Sequence, residues 1–322
     1  MKHSTSHLDE ATLPLLNKST AQRIYYVQAD RFIAHRAAQT ILNQLRDLIT
    51  RPSSIRPPCM ALVADSGAGK STLLQNFELS QRPTQHAVRR KIVYCYVDPF
   101  PDLRGIRAAL LNALGVPYDP ACRWQRNDPQ HLVQTALAEL GVRMVIFDEV
   151  NHLRNLPTKL EFAAWDYFKW ISSVLRTSVV CAGISGFENA IRSDGQLATR
   201  FRIVQLPRWR VGPHFQVFLT AFERSLPLRR PTGLGRLDMQ RAILHESGLL
   251  QQIPGVTQGV KLVIEHAAIA ALRSGEERIS LELLQAWRED LQPLEEAAYG
   301  DAPKKTGRAD AKYTDPERDR NV

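Results

Sequence analysis

The chain lacks several features that mark specialised classes of protein. Its 322 residues contain no apolar run of the roughly 18 residues that a membrane-spanning helix needs, and the first residues have no apolar core typical of a secretory signal. There are four cysteines and no C-x-x-C pair, which argues against a disulfide framework or a zinc ribbon. We therefore expect a cytoplasmic protein whose cysteines stay reduced and which does not attach to a membrane.

The chain also has fewer acidic than basic residues. The 42 lysines and arginines exceed the 33 acidic residues, so the net charge is +9 and the pI is about 9.6. A basic surplus favours a polyanionic partner such as nucleic acid, and the alternative is a basic solvated surface without such a partner. The 44% hydrophobic and 23% charged residues are otherwise ordinary for a globular chain with room for one large α/β domain and a smaller helical one.

Short apolar runs alternate with helix-forming segments through the first two thirds of the chain. Runs of this kind are typical of strands that are buried on both faces of a parallel sheet. Strands that alternate with helices predict an α/β fold with right-handed crossovers. The predicted strands are 59–64, 91–98, 142–149 and 178–185, and the predicted helices are 30–50, 71–79, 103–115, 130–140 and 160–176.

The strand signal ends near residue 210, and only helical periodicity follows, at 212–226, 236–250, 257–273 and 280–291. The last residues mix both charges with proline and have no apolar periodicity, which is typical of a disordered tail. The sequence therefore predicts four parts, namely a flexible N-terminal segment (1–24), an α/β domain (25–210), a small helical domain (211–294) and the tail (295–322).

The stretch LVADSGAGKS at 62–71 nearly matches the phosphate-binding loop G-x-x-x-x-G-K-[ST]. In such a P-loop, backbone N–H groups surround a phosphate, the lysine reaches the outer phosphate oxygens, and the hydroxyl binds Mg²⁺. Ala64 replaces the first glycine, and its methyl group costs about 1 kcal/mol or more only if its φ is positive. The residues expected to bind the nucleotide are Asp65, Ser66, Gly67, Ala68, Gly69, Lys70, Ser71 and Thr72.

A pair of carboxylates ends the most hydrophobic predicted strand, VIFDE at 145–149. At this distance after a P-loop, the pattern is that of a Walker-B strand. We expect Asp148 to share a Mg²⁺ ion with Ser71, and Glu149 to polarise the water that attacks the terminal phosphate. The alternative for the pair alone is two solvated carboxylates at a strand end.

Two further residues are candidates for the same reaction. Ser185 ends the following strand, where a polar side chain can orient water against the γ-phosphate, although serines are common at strand ends. Arg200 follows a short helical segment, and in oligomeric ATPases an arginine there stabilises the transition state of a neighbouring subunit. Arg202 is an alternative, and either residue could be an ordinary surface arginine.

With both Walker motifs, the Arg200 segment and a helical domain behind them, the chain resembles AAA+ ATPases. More narrowly, it resembles the TniB/TnsC family of transposition regulators, over residues 25 to 290. The stretches that carry this resemblance are QADRFIAHRAAQTILNQL, GVRMVIFDEVNHL, IRSDGQLATRFRIVQLPRW, SLPLRRPTGLGRLDM and AAIAALRSGEERIS. The chain departs from the family at Ala64 and in a longer insert, SGLLQQIPGVTQGVK, before a lid helix.

The resemblance implies an ATPase that requires ATP and Mg²⁺ and forms a homo-oligomer, a heptameric ring or a helical filament, on double-stranded DNA. It also implies recruitment of a DDE transposase of the TniA/TnsB type and a TniQ-like targeting protein, with a CRISPR effector as an open alternative partner. Hydrolysis would control disassembly. The adenine pocket of the family falls on Phe32 and Ile33, and Lys261 is a candidate for the sensor-2 position; packing in a helix core and a surface lysine are the alternatives.

DNA contacts in such a protein are made to phosphates and do not depend on base sequence. The candidates are Arg104, Arg107, Arg154 and Lys159, with the run Arg89–Lys91 as a further one. For each of these residues taken singly, a solvated charge is the alternative.

Two other classes of protein share the Walker motifs. One is a helicase loader or a related AAA+ remodeller, against which only the resemblance argues. The other is a nucleotide-switched scaffold with little turnover, against which the presence of Glu149 argues. A metal-dependent nuclease or a transposase is not expected, because the carboxylate pair at a strand end is already explained by ATP.

Overall fold

The structure is a computed structural model that describes residues 6–82, 89–99, 102–118 and 128–288. Within these residues, five parallel strands form one sheet in the order β2-β3-β4-β1-β5. The predicted α/β fold is therefore confirmed. Cys122 and the predicted tail at 295–322 lie outside the described residues. The strands are β1 (Cys59–Val63), β2 (Ile92–Tyr96), β3 (Met144–Asp148), β4 (Ser178–Gly183) and β5 (Phe201–Gln205).

Helices cover both faces of this sheet and form a separate unit behind it. Short 3-10 helices lie at Leu13–Asn17, Val150–Asn155 and Leu283–Arg288. The α-helices are α1 (Thr20–Gln28), α2 (Arg36–Thr50), α3 (Lys70–Ser80), α4 (Leu103–Ala113), α5 (Pro129–Leu140), α6 (Thr158–Val174), α7 (Glu188–Ser193), α8 (Gly195–Ala198), α9 (Pro213–Arg224), α10 (Leu237–Gln251) and α11 (Thr257–Ser274). Among the described residues, no helix is long and apolar enough to cross a membrane.

The centre of the sheet is apolar on both sides, as the sequence predicts. Every residue of β1, β3 and β4 is buried. One face packs against α4, α5 and α6 in a core that includes Phe147 and Phe168, with ring centroids 4.3 Å apart. The other face packs against α2 and α3, through residues such as Leu45 and Phe77. The sheet is thus a rigid support for the loops that follow its strands.

Strand β5 was not predicted. It pairs with β1 from Cys59↔Phe201 to Val63↔Gln205 and forms one edge of the sheet. Its residues are partly exposed, and Arg202 points to solvent. An edge strand of this kind lacks the continuous apolar run by which the other strands were identified.

The helical unit after β5 contains α9, α10 and α11, which share a core with Phe218, Ile243 and Ile264. The predicted helical region that follows the sheet is confirmed. Its last predicted helix, 280–291, is instead a short 3-10 helix, and the described chain ends at residue 288. The boundary near residue 210 stays a prediction.

Part of the segment 1–24, which the sequence predicts to be flexible, is helical in the structure. A 3-10 helix spans Leu13–Asn17, and α1 begins with a capping box at Ser19. Val27 is fully buried in the core of the helical unit, and Arg23 is 2% exposed and bonded to Glu277. Sequence periodicity cannot detect such docking, because the stabilising partners lie about 200 residues away along the chain.

The helix predicted from residue 30 begins later, at Arg36, with the ring of His35 accepting a hydrogen bond from the N–H of Ala38. Residues 30–35 are extended and connect α1, on the helical unit, to α2, on the sheet. This connection brings Phe32 and Ile33 beside the P-loop, where they line a cavity.

Candidate nucleotide site

The P-loop connects the end of β1 to the beginning of α3. Gly67 and Gly69 have φ values of +72° and +93°, which residues with a β-carbon rarely adopt. α3 then begins at Lys70, so the free N–H groups of its first turn point toward the loop. This arrangement favours binding of an anion at the loop.

Lys70 is held inside the loop. Its Nζ atom donates hydrogen bonds to the carbonyl oxygens of Ala64 and Asp65, at 3.0 and 2.9 Å. Burial lowers the pKa of Lys70, and the carboxylates of Glu149, Asp148 and Asp65 oppose that shift. The ammonium group is therefore surrounded by oxygens at the position where a phosphate would enter.

Ala64 fits the loop without backbone strain. It is not among the residues with positive φ, its side chain is buried, and its N–H donates to the carbonyl of Gly183 at 3.2 Å. The methyl group that replaces the first glycine of the motif thus lies in the core beside β4.

Asp148 and Glu149 lie where β3 ends. Asp148 is fully buried. Its Oδ1 accepts a hydrogen bond from the N–H of Glu149 at 2.9 Å, and its Oδ2 accepts one from the hydroxyl of Tyr94 at 2.5 Å. Glu149 has a φ of +60°, a rare conformation for a residue with a side chain. Burial raises the pKa of Tyr94, and Asp148 raises it further, so this hydroxyl stays protonated and donates. The sequence carried no signal for Tyr94.

A cavity of about 330 Å³ opens beside the P-loop. It lies between the loop, the extended 30–35 segment and the helical unit, and its volume is in the range of small-molecule sites. Of the predicted residues, Asp65, Ser66, Asp148, Ser185 and Arg200 are not in its lining. Those that line it are Phe32, Ile33, Gly67, Ala68, Gly69, Lys70, Ser71, Thr72, Glu149 and Lys261.

An aromatic wall of this cavity was missed by the sequence analysis. His35 lines the cavity and packs against Trp209 and Phe218, with ring centroids 4.6 and 5.9 Å apart. Burial lowers the pKa of His35 to about 4, so its ring is neutral at pH 7. The three rings come from segments far apart in sequence, and only the fold brings them together.

The helical unit contacts the P-loop directly. The N–H of Gln258 donates to the carbonyl of Gly67 at 2.9 Å, and the hydroxyl of Thr257 donates to the carbonyl of Ala68 at 3.0 Å. Lys261, one turn further along α11, pairs with Asp30 at 2.8 Å. The cavity is therefore closed on one side by α11, as a lid over the loop.

Ser185 and Asp65 lie on a second, larger groove, of about 1360 Å³, beside the sheet edge. Ser185 is exposed there. Asp65 forms a two-bond ion pair with Arg208, at 2.5 and 2.9 Å, and this pairing lowers the pKa of Asp65. The structure thus places these two residues next to the nucleotide cavity, without bringing them into it.

Arg200 lies at the opposite end of the strands. Its carbonyl accepts the N–H of Cys59, the first residue of β1, at 2.9 Å, and its guanidinium donates to the hydroxyl of Ser173. β1 rises by about 3.3 Å per residue, so the four steps from Cys59 to Val63 separate Arg200 from its own P-loop by more than about 13 Å.

The candidate DNA-binding residues differ in how exposed their side chains are and in what they contact. Arg104, Arg154 and Lys159 are exposed, and Arg154 lies against Gly186. Arg107 is half-buried, with its guanidinium 5.3 Å from the ring of Tyr167. In the 89–91 run, Arg90 is held by Glu78 at 2.9 Å, while Arg89 and Lys91 are exposed.

Within the described residues, no group of three or more histidine, cysteine, aspartate or glutamate side chains could hold a metal alone. Ser71 and Asp148 supply oxygens, which are the ligands that Mg²⁺ prefers, but they are only two. These residues fit a Mg²⁺ ion that completes its shell with water and the phosphates of a nucleotide, and they do not fit a self-sufficient metal site.

Several solved structures are similar in fold to this chain. The chain is similar to the Orc1 protein of Aeropyrum pernix solved in complex with DNA, at 14% identity and a TM-score of 0.53, over 84% of this chain and 69% of that one. It is similar to Cdc6p from Pyrobaculum aerophilum, at 14% identity and a TM-score of 0.55, over 82% and 70%. It is also similar to Drosophila ORC bound to DNA, at 12% identity and a TM-score of 0.56, over 89% and 70%.

These likenesses confirm the predicted fold, a parallel α/β sheet with helices followed by a helical region. No curated protein matches the sequence. A model of the bacterial TniB protein family, however, matches residues 23–211, more than half of the chain, including the P-loop and the Walker-B strand. The chain therefore belongs to the TniB family.

Proposed function

We propose that this protein is an ATPase that assembles on double-stranded DNA in its ATP-bound state and directs DNA transposition. The observation that carries the proposal is the cavity in which the P-loop residues Gly67–Thr72 and the Walker-B glutamate, Glu149, meet under the lid helix α11. A phosphate-binding loop, a lysine and a carboxylate are the parts that an ATP hydrolysis site requires.

In this proposal the phosphates of ATP lie in the P-loop. Lys70 leaves the carbonyls of Ala64 and Asp65 to bind phosphate oxygens, and Ser71 and Asp148 would hold Mg²⁺. When bound, that ion would neutralise part of the phosphate charge. Glu149, at the cavity wall, orients and deprotonates the attacking water.

The apolar end of the cavity suits the base of the nucleotide. Phe32 and Ile33 form one wall, and His35 adds a neutral ring next to Trp209. Aromatic and aliphatic walls of this kind bind a flat heterocycle by stacking and by removing its surface from water.

Arg200 acts in trans. Because it lies at the opposite end of the strands from its own P-loop, it cannot reach its own nucleotide, whereas in an oligomer it can reach the neighbour's γ-phosphate. Its carbonyl bond to Cys59 fixes the backbone, and the contact with Ser173 holds the side chain at the surface between α6 and β5. Homo-oligomerisation is therefore part of the mechanism.

DNA binding is proposed from three facts. The chain carries a net charge of +9, it has the fold of Orc proteins that were solved bound to DNA, and Arg104, Arg154 and Lys159 are exposed on the loops and helices that follow β2 and β3. We propose that these three residues contact DNA phosphates. Arg107, whose guanidinium packs over the ring of Tyr167, is proposed as a fourth contact. Binding of this type depends on salt and not on base sequence.

The role in transposition rests on membership of the TniB family. The partners we propose are a DDE transposase and a TniQ-like protein, recruited to the DNA-bound oligomer. Hydrolysis then releases the oligomer from the DNA. The ATP-bound protein therefore stays on the target DNA, and the ADP-bound protein dissociates from it.

The test is the affinity for a labelled DNA duplex, measured by fluorescence anisotropy with a non-hydrolysable ATP analogue and without nucleotide. The proposal expects tight, salt-sensitive binding only with the analogue, and its loss in Lys70→Ala. With ATP itself, Glu149→Gln should remain on DNA because it binds ATP and hydrolyses it at least about 100-fold more slowly. Equal DNA affinity with and without nucleotide would refute the proposal.

A further inference from the structure

Tyr94 lies in the middle of β2, next to the Walker-B strand, where it pairs with Ile146. Its hydroxyl donates to Oδ2 of Asp148 at 2.5 Å. The side chains of Ser71 and Gln75, on the first turns of α3, lie near enough to this hydroxyl to lower its pKa, against the larger effect of burial. One phenol group therefore bonds to Asp148 and lies near Ser71, the two residues to which the proposed function assigns Mg²⁺.

Asp148 has no access to solvent, so both of its oxygens need partners within the protein. Oδ1 is satisfied by the N–H of Glu149, and this bond also fixes the rare left-handed backbone of that residue. Oδ2 is satisfied by Tyr94. Among the described residues, Tyr94 is the one side chain that donates a hydrogen bond to this carboxylate.

We propose that Tyr94 is a positioning residue for the metal-bound nucleotide. It holds the carboxylate of Asp148 in one orientation through Oδ2, and through Asp148 it steadies the backbone of Glu149. The inference rests on the proposed nucleotide site. Groups that orient a ligand to a metal in this way typically change its affinity when they are removed.

The competing explanation is that Tyr94 only fills space between the sheet and α3, where it packs against the core. The two explanations differ in whether the hydroxyl oxygen of Tyr94 has a role. Tyr94→Phe keeps the ring and its packing but removes the hydroxyl that reaches Asp148. A packing role predicts no effect of this change on Mg²⁺, whereas a positioning role predicts a specific one.

The experiment measures binding of a fluorescent, non-hydrolysable ATP analogue to the full chain while Mg²⁺ is titrated. Tyr94→Phe should need roughly ten times more Mg²⁺ for half-maximal binding than the wild type, with unchanged affinity in EDTA. The matched control is Tyr96→Phe, two residues along the same strand, where the side chain is 48% exposed and meets His152 edge-on. An unchanged Mg²⁺ midpoint in Tyr94→Phe overturns the inference.

A second comparison separates positioning from loss of folding. In an Asp148→Asn background, Tyr94→Phe should have no further effect on the analogue affinity at any Mg²⁺ concentration, because the carboxylate it orients is gone. An equal effect in both backgrounds would also overturn the inference. Failure of the wild type to bind the analogue in a Mg²⁺-dependent manner would instead refute the proposed function, so the two failures are distinguishable.

Discussion

At the scale of single residues, the P-loop uses glycine where its backbone requires it and alanine where it does not. Gly67 has a φ of +72°, and a β-carbon there would lie 2.6 Å from Oε1 of Gln258. Ala64 has no such constraint, and its methyl group is buried. The departure of this chain from the motif therefore falls at a tolerant position.

This difference gives the first prediction. Ala64→Gly should restore the motif without improving nucleotide affinity, and it should lower the free energy of unfolding by about 0.5–1 kcal/mol because glycine is more disordered in the unfolded chain. Gly67→Ala should weaken nucleotide binding by straining the loop and pushing α11 away. Nucleotide titrations and urea unfolding of both variants check this, and a clear gain of affinity in Ala64→Gly would contradict it.

The second prediction concerns pH. Burial lowers the pKa of His35 to about 4, from 6.5 in an unfolded chain. The stabilisation that comes from the neutral ring is therefore complete above pH 6.5 and is lost as the pH falls toward 4, because only the unfolded chain takes up the proton readily. The unfolding temperature should fall over this range more steeply in the wild type than in His35→Phe.

The phenylalanine variant keeps a ring beside Trp209 but cannot be protonated. His214→Phe, at an exposed position, serves as the matched control and should follow the wild-type pH profile. Parallel curves for His35→Phe and the wild type would show that the buried ring contributes nothing to the pH dependence.

At the scale of elements, the N-terminal helix α1 belongs to the helical unit. Arg23 donates to the carbonyl of Pro227 at 2.9 Å and to Glu277 at 2.8 Å while only 2% exposed. The extended 30–35 segment then crosses to α2 on the sheet, and it passes the nucleotide cavity on the way. Movement of the lid would therefore move α1 with it.

The third prediction follows from the burial of this ion pair. Arg23→Ala removes a buried guanidinium and leaves the carbonyl of Pro227 without its donor, while Arg229 still pairs with Glu277, so it should lower the free energy of unfolding by about 2 kcal/mol. The control is Arg236→Ala, which breaks an exposed pair with Asp238 and should leave the free energy of unfolding nearly unchanged. Urea unfolding measures both, and equal losses would contradict the role assigned to α1.

How far the sequence predicts these elements depends on how local their signals are. Strands β1 to β4, most helices and the P-loop were predicted, because apolar periodicity and motif spacing lie in neighbouring residues. β5 was missed because its exposed Arg202 and Gln205 interrupt the apolar run, which the opposite edge strand β2 keeps. Tyr94 and His35 were missed because their partners, Asp148 and Trp209, are neighbours only in the folded chain.

At the scale of the whole molecule, the two halves of the proposed reaction lie at opposite ends of the sheet. The P-loop follows the end of β1, and Arg200 lies beside its beginning. In the proposed mechanism, a single chain therefore cannot complete the site. Head-to-tail assembly would place the arginine of one subunit at the nucleotide of the next.

The fourth prediction tests this arrangement by mixing two inactive variants. Glu149→Gln should bind nucleotide but hydrolyse it at least about 100-fold more slowly, and Arg200→Ala should keep binding but lose turnover by about 1000-fold. A mixture should regain a measurable part of the wild-type ATPase rate, because Glu149→Gln subunits bind ATP, assemble and supply Arg200 to the intact sites of the others. Arg202→Ala is the control and should resemble the wild type, whereas an inactive mixture would argue against action in trans.

We propose that this protein assembles on DNA only with ATP bound. Electron microscopy of the full chain with duplex DNA, with and without a non-hydrolysable ATP analogue, shows whether this is so. We expect rings or helical filaments around the DNA with the analogue, and no ordered assembly without nucleotide or in Lys70→Ala. Monomers under every condition, or the same assembly with and without nucleotide, would contradict it.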